Sequence, residues 1–294
     1  MLNDVHCHFF SPQFFAALGR EKGVDSPVRR VPELLGWEAP GSVEARADRW
    51  VAELDRHGVG RAALIASVPG DEASVAAAVA RHPSRFVGFA MVNPAAPDGL
   101  DRARRALAEL GIRALCLFPA MHHYRLDDER VTRVFETAEQ HRGVVFVHCG
   151  LLSVGARRRL GLPSRFDIRL GDPLAVAALA VRFPGVPVIV PHFGAGFFRE
   201  ALMAVDLAAN VHLDTSSSNA WIRYHPGLTL EQVFRAALDV AGPDRLLFGT
   251  DSSFFPRGWQ RAVYDTERAA LERLGCAPAD LERIFGGNFE RLFA

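Results

Sequence analysis

Two histidines stand one residue apart near the start of this 294-residue chain, in Asp4-Val5-His6-Cys7-His8. Side chains along an extended strand alternate between its faces, so His6 and His8 share one face and both imidazoles can reach a single cation. Histidines this close also occur as packed core residues, so their place in the fold decides between the two readings. Other metal-competent side chains close further apolar runs: His148 ends Val145-Phe146-Val147-His148, His192 ends Val190-Pro191-His192, and Asp251 ends Gly249-Thr250-Asp251. Histidine nitrogens with one carboxylate suit zinc or a similar first-row dication.

The elements that must position these residues follow a βα rhythm. Strands are predicted over 3–8, 61–67, 86–92, 112–118, 144–148, 186–192, 211–216 and 246–251. Between them apolar residues recur at helical spacing, as in Trp50, Val51 and Leu54; Leu100, Ala103, Leu107 and Leu110; Val131, Val134, Phe135 and Ala138; and Leu230, Val233, Phe234 and Leu238. Eight such units fit an α/β fold of the (β/α)₈ TIM-barrel type, with the whole of 1–294 as a single domain. In a parallel barrel the C-terminal strand ends lie on one rim, where His6, His8, His148, His192 and Asp251 converge from four strands. A doubly wound open sheet is the alternative, but no Gly-rich turn follows the first strand to support a dinucleotide site. The stretch 9–41 carries Pro12, Pro27, Pro32 and Pro40 with little periodicity, and reads as a long loop, either a lid or a covering excursion.

Composition narrows the function classes. With 34 basic and 34 acidic residues the formal net charge is zero, which argues against a nucleic-acid or membrane-surface binder. No run approaches the roughly 18 apolar residues of a membrane span. The start Met1-Leu2-Asn3-Asp4 does not read as a signal peptide, and Cys7, Cys116, Cys149 and Cys276 lack paired spacing, so a cytoplasmic protein with reduced thiols is expected. Lys22 is the sole lysine; the other basic residues are arginines.

The remaining histidines divide by address. His57, His82 and His141 fall at predicted helix C-termini, where the helix dipole accounts for them, and His212 starts a strand at the opposite rim. His122, His123 and His225 lie in loops on the active rim. Among rim-loop arginines Arg125, Arg157, Arg158, Arg159, Arg223 and Arg257, a bidentate fork could hold a substrate carboxylate. Arg257 is the foremost candidate because it follows Asp251 so closely; Phe254, Phe255 and Trp259 either wall a pocket there or pack the loop.

The chain resembles the amidohydrolase superfamily, in the amidohydrolase-related branch that includes aminocarboxymuconate-semialdehyde decarboxylase. The matching residues are Asp4-Val5-His6-Cys7-His8, His148-Cys149-Gly150, Pro191-His192-Phe193-Gly194, Phe248-Gly249-Thr250-Asp251 and the closing Gly287-Asn288-Phe289-Glu290-Arg291-Leu292-Phe293. The resemblance implies that His6, His8, His148 and Asp251 bind one divalent metal, zinc first and manganese or iron as alternatives. It further implies that Asp251 moves the proton of a metal-activated water while His192 orients that water or stabilises developing charge. One departure matters. Relatives with two metals carry a bridging lysine on the fourth strand, and here that strand ends Cys116-Leu117-Phe118-Pro119, so a mononuclear site is expected.

The leading expectation is therefore a metal-dependent hydrolase acting on an amide, ester or lactone bond of a small carboxylated metabolite, with His123, Arg125, Arg223 and Arg257 as candidate substrate contacts. The alternative is nonoxidative decarboxylation of an aromatic or unsaturated acid at the same metal. A non-catalytic metal-binding barrel is the third reading. Relatives are often dimers, so a homodimer is an expectation of the resemblance alone.

Overall fold

The computed structural model describes every residue except Ser218. Eight parallel strands follow one another around a single sheet: β1 Leu2–Phe9, β2 Val59–Ala66, β3 Phe86–Val92, β4 Ala114–Leu117, β5 Val144–Val147, β6 Val188–Val190, β7 Val211–Asp214 and β8 Leu246–Leu247. Each predicted strand is present, several of them shorter at the rim. The seam between β8 and β1 is drawn together by backbone bonds from Val5 N–H to Phe248 (2.9 Å), Asp251 N–H to His6 (2.9 Å) and His8 N–H to Ser252 (2.7 Å). The result is a nearly closed (β/α)₈ barrel.

Alternation divides the strands' side chains between two cores. On β2, Ala63 and Ile65 fill the barrel interior with Phe89, Met91, Cys116, Phe146, Ile189 and Leu247, whereas Ala62 and Leu64 face the helices. The helix Val43–His57 buries Trp50 and Leu54 in that outer layer, and helices Glu129–Gln140 and Leu230–Ala241 bury Val134 with Phe135 and Val233 with Phe234. Fully burying side chains of this size stabilises the fold by about 1.5–3 kcal/mol each.

The C-terminal helix Asn288–Phe293 plugs the interior from below, where Phe289 and Phe293 join the inner core and Phe293 lies 5.4 Å from Phe89. Asn288 fastens this plug by donating to the carbonyls of Pro243 and Leu246, both at 2.7 Å. The closing G-N-x-x-R-L-F segment thus has a packing role.

The stretch 9–41 corrects the expectation of a long loop. It holds two helices, Pro12–Lys22 and Pro27–Leu35, which bury Phe14, Phe15, Leu18, Val31 and Leu35. Ser11 caps the first by accepting from Gln13 and Phe14 N–H, and Gly23 and Gly36 end the two in left-handed conformation. The apolar spacing was obscured because Pro12 and Pro27 sit at N-terminal helix positions that tolerate proline. The pair packs on Ala156, Leu160 and Leu162 of the β5 loop and covers part of the C-terminal rim. No described helix is long and apolar enough to cross a membrane.

Candidate metal centre

Simple alternation does not by itself aim His6 and His8 into the barrel. Asp4 pairs with Ala62 and Cys7 with Leu64, so three steps along β1 match two along β2. This bulge inserts one residue, which lets Val5 stay in the interior while His6 and His8 also turn toward the mouth and Cys7 packs outward. Asp4 holds the bulge from behind. Its carboxylate accepts from His6 N–H (2.8 Å), Thr250 N–H (3.1 Å) and Trp259 Nε1 (2.7 Å), joining β1 to the end of β8.

Three donor atoms converge at the mouth. His8 Nε2 lies 3.2 Å from Asp251 Oδ1, His6 Nε2 lies 3.7 Å from the same oxygen, and the two Nε2 atoms are 3.4 Å apart. One ligand atom from each of His6, His8 and Asp251 falls within 4.8 Å of the others. The opposite ring nitrogens are already engaged. His6 Nδ1 donates to the fully buried Asp214 carboxylate at 2.7 Å, and His8 Nδ1 lies 2.8 Å from the Ser67 hydroxyl, which itself donates to the Ile65 carbonyl. Since Ser67 gives its proton to Ile65, it accepts from His8 Nδ1–H. Both Nε2 lone pairs therefore face the gap, the arrangement a divalent cation requires.

His148 and His192 stand beside this trio. The His148 ring stacks on Phe118 at 5.3 Å and meets His192 edge-on at 5.3 Å, and its buried Nδ1 has no partner among the described residues. His192 lies 5.0 Å from His6, ring to ring. Its Nδ1 is 3.1 Å from the Ser216 carbonyl, which can only accept, so Nδ1 carries the proton and Nε2 is left as an acceptor. The Ser216 hydroxyl bridges the group at 2.9 Å from His192 Nδ1 and 3.0 Å from His6 Nδ1.

The electrostatics fit a cation. Burial pushes His8, His148 and His192 below the usual imidazole value, only partly offset by Asp251, so these rings are neutral near pH 7. Burial lowers His6 too, but the charge and hydrogen bond of Asp214 outweigh it and leave His6 raised. For Asp251, burial pulls upward, and the neighbouring imidazoles of His8, His6 and His192 reverse this, so the carboxylate stays ionised. His192 and Asp251 both take left-handed backbone, at φ 56° and 57°. Non-glycine residues are costly there and cluster at functional sites. The neutral His8 and His148 rings, His6 with its Nδ1 proton held by Asp214, and the ionised Asp251 carboxylate fit a divalent metal's donor set.

The rim arginines and histidines separate clearly. Arg257 lies beside the site, exposed: its Nη2 donates to the Asp251 backbone carbonyl (3.1 Å) and the Ser253 hydroxyl (2.7 Å). Arg125 is paired with Asp127 and Arg157 with Glu21, while Arg223 lies exposed over the Tyr224 ring. None of the three joins the group formed by His6, His8 and Asp251. His123 is exposed at the end of the short helix Pro119–His122. Phe255 and Trp259 are buried in the outer core and pack the loop, whereas Phe254 is half-buried. Lys22 ends the first covering helix, far along the chain from β4, where Cys116 is buried in the inner core.

Sequence reasoning missed Asp214, Ser216, Ser67 and Asp4 as parts of this centre. Asp214 and Ser216 had a signal, since both stand at the end of β7 on the active rim. Nothing local in the sequence marks Ser67 as the partner of His8.

The same fold occurs in solved structures. A 5-carboxyvanillate decarboxylase from Sphingomonas paucimobilis is 19% identical, with TM-score 0.66 over 99% of this chain and 98% of that one. A probable 2-pyrone-4,6-dicarboxylic acid hydrolase from Acinetobacter baumannii, with citric acid bound, is 16% identical, with TM-score 0.61 over 99% and 98%. A 5-carboxyvanillate decarboxylase from Novosphingobium aromaticivorans, complexed with manganese and 4-hydroxy-3-methoxy-5-nitrobenzoic acid, is 15% identical, with TM-score 0.63 over 99% and 94%. The profile of the amidohydrolase family matches residues 4–294 of this sequence, so the chain belongs to that family.

Proposed function

We propose that the protein is a metal-dependent hydrolase that cleaves an amide, ester or lactone bond in a small carboxylated molecule. The observation that carries this reading is the convergence of His6 Nε2, His8 Nε2 and Asp251 Oδ1 within 4.8 Å at the barrel mouth. His6, His8 and Asp251 would hold one divalent cation, with His148 as the fourth ligand. Zinc is the first choice for this set, and the manganese of the Novosphingobium relative makes manganese the next. A cation bound there supplies Lewis acidity and makes water acidic enough to ionise near neutral pH.

The chain's own groups then manage the protons and the substrate. The Asp251 side chain is about one-third exposed, on the open side of the trio, so it can accept a proton from attacking water and return it to the leaving group. His192, with Nε2 free as an acceptor, orients the attacking water. Arg257 has no carboxylate partner among the described residues, unlike Arg125 and Arg157, and sits against Asp251, where it can bind a substrate carboxylate. His123, Arg125 and Arg223 would contact substrate only by turning inward from their exposed positions. We take 1–294 as one domain, acting as a cytoplasmic enzyme and a homodimer.

An uncompensated guanidinium beside the centre also favours nonoxidative decarboxylation as the second reading, because it places a carboxylate next to the ligands. One experiment separates the two. The zinc-loaded protein is incubated with carboxylated lactones, esters and amides and with aromatic carboxylic acids, while ring opening, acid release and carbon dioxide are followed. Hydrolysis of a lactone, ester or amide supports the proposal; carbon dioxide release without hydrolysis overturns it in favour of the second reading.

A further inference from the structure

Arg257 is held by an aromatic stack that begins outside its own loop. Its guanidinium lies over the Phe254 ring at 4.5 Å, and Trp37 stacks on that ring at 4.1 Å with planes 7° apart. A ring covered so closely on one face leaves the cation the other, so Phe254 is sandwiched between Trp37 and Arg257. The stack continues through Phe10, 5.7 Å from Trp37 and 12° from parallel, to Phe14 at 3.8 Å.

The position of Trp37 in this stack is set by its backbone. The helix Pro27–Leu35 ends at Gly36 in left-handed conformation (φ 63°), with Gly36 N–H donating to Glu33 and Trp37 N–H to Pro32. That cap fixes where Trp37 leaves the helix. The next residue, Glu38, donates its N–H to the Phe255 carbonyl at 3.1 Å, tying the covering segment to the Arg257 loop by backbone as well as by rings. A free arginine on an exposed loop loses rotamer freedom when it binds an anion, and a guanidinium already seated on a ring loses less.

We propose that Trp37, acting through Phe254, is the positioning residue that presents Arg257 to a substrate carboxylate, so the helical segment between β1 and β2 determines selectivity for anionic substrates. This rests on the reading of Arg257 as the carboxylate contact. Trp37 touches neither the metal-facing trio nor, in this account, the substrate.

The test uses the zinc-loaded full chain and two probes of equal shape, 4-fluorobenzoate and 4-fluorobenzamide, titrated by fluorine NMR. Wild type is expected to prefer the anion, and Arg257→Ala to lose that preference. Trp37→Leu, which stays apolar but cannot stack, is expected to reduce the preference about tenfold, and Trp37→Phe to retain most of it. Phe254→Leu should match Trp37→Leu, and it decides the matter if Trp37→Leu does not fold. All folded variants are expected to bind the same amount of zinc. Full preference in Trp37→Leu, or in Phe254→Leu, with loss in Arg257→Ala overturns the role of Trp37 and leaves Arg257 standing. No preference in wild type, or preference retained in Arg257→Ala, overturns the Arg257 reading and this inference with it. Loss of zinc from folded wild type instead points to failure of the metal reading.

Discussion

At the N-terminal end of the barrel polar groups are paired with one another: Asn288 with the Pro243 and Leu246 carbonyls, Asn3 with Glu290, Arg61 with Glu290, and His212 with the Asn210 carbonyl. At the C-terminal end the arrangement is reversed. Three donor atoms face one another across a small gap, His148 Nδ1 is buried without a partner among the described residues, and His192 and Asp251 hold left-handed backbone. One end lowers the free energy of the fold, and the other gives up some of that stability to keep donor atoms bare. The difference separates stability from chemistry within one barrel, so substitutions at the two ends should fail in different ways.

The largest expected effect is at Asp251. Asp251→Asn keeps the shape of the side chain but removes its charge and its ability to accept a proton. Turnover on whichever substrate the panel identifies should fall by a factor on the order of a thousand or more, with the melting temperature little changed. Substantial residual turnover would contradict the proton-transfer role.

Phe289→Ala should break the opposite end. It removes a ring that is 2% exposed from the base of the inner core, and a cost of about 3–5 kcal/mol in unfolding free energy is expected from denaturant titration. The protein that remains folded should bind metal with unchanged affinity; a parallel loss of affinity would mean that the two ends are coupled.

A smaller effect tests how the bare nitrogens are held. Asp214→Asn leaves the β7 end in place but weakens the acceptor that fixes His6 Nδ1–H, so metal affinity should drop by about 10–100-fold in a competition titration with a chelator. Asn288→Ala, at the plug, serves as the control and should leave that affinity alone.

The smallest expected effect lies behind the rim. Glu267 is buried, accepts from the Thr215 hydroxyl at 2.6 Å, and burial holds its carboxyl well above the ordinary value of 4.5. Above that ordinary value the unfolded chain releases this proton while the folded chain keeps it, so folding stability falls as pH rises toward the folded pKa. Glu267→Gln removes the ionisation. Its stability relative to wild type should therefore improve as pH rises above about 4.5, and a pH-independent difference would show that Glu267 is ionised in the fold.

The contrast between the ends also explains what the sequence could tell. Strands and helices were readable because apolar period follows from burial, and the rim addresses of His6, His8, His148, His192 and Asp251 follow from strand ends in a parallel barrel. The bulge at Asp4 to Cys7 was not readable, because an inserted residue changes pairing with β2 without changing the local apolar pattern. The covering helices were hidden by prolines at their starts. Ser67 and Asp214 stand 59 and 208 residues from their histidine partners, and nothing in the intervening sequence specifies such contacts. The 33 arginines made Arg257 hard to distinguish by sequence; its hydrogen bond to the Asp251 carbonyl in the fold is what sets it apart from the other rim candidates.

The most direct test of the central claim is metal stoichiometry, measured by elemental analysis of the purified protein after loading with zinc and removal of free ion. The account predicts one divalent cation per folded chain, and none in a folded His6→Ala/His8→Ala double variant. A well-folded wild-type protein that takes up no divalent cation, or two, would contradict it.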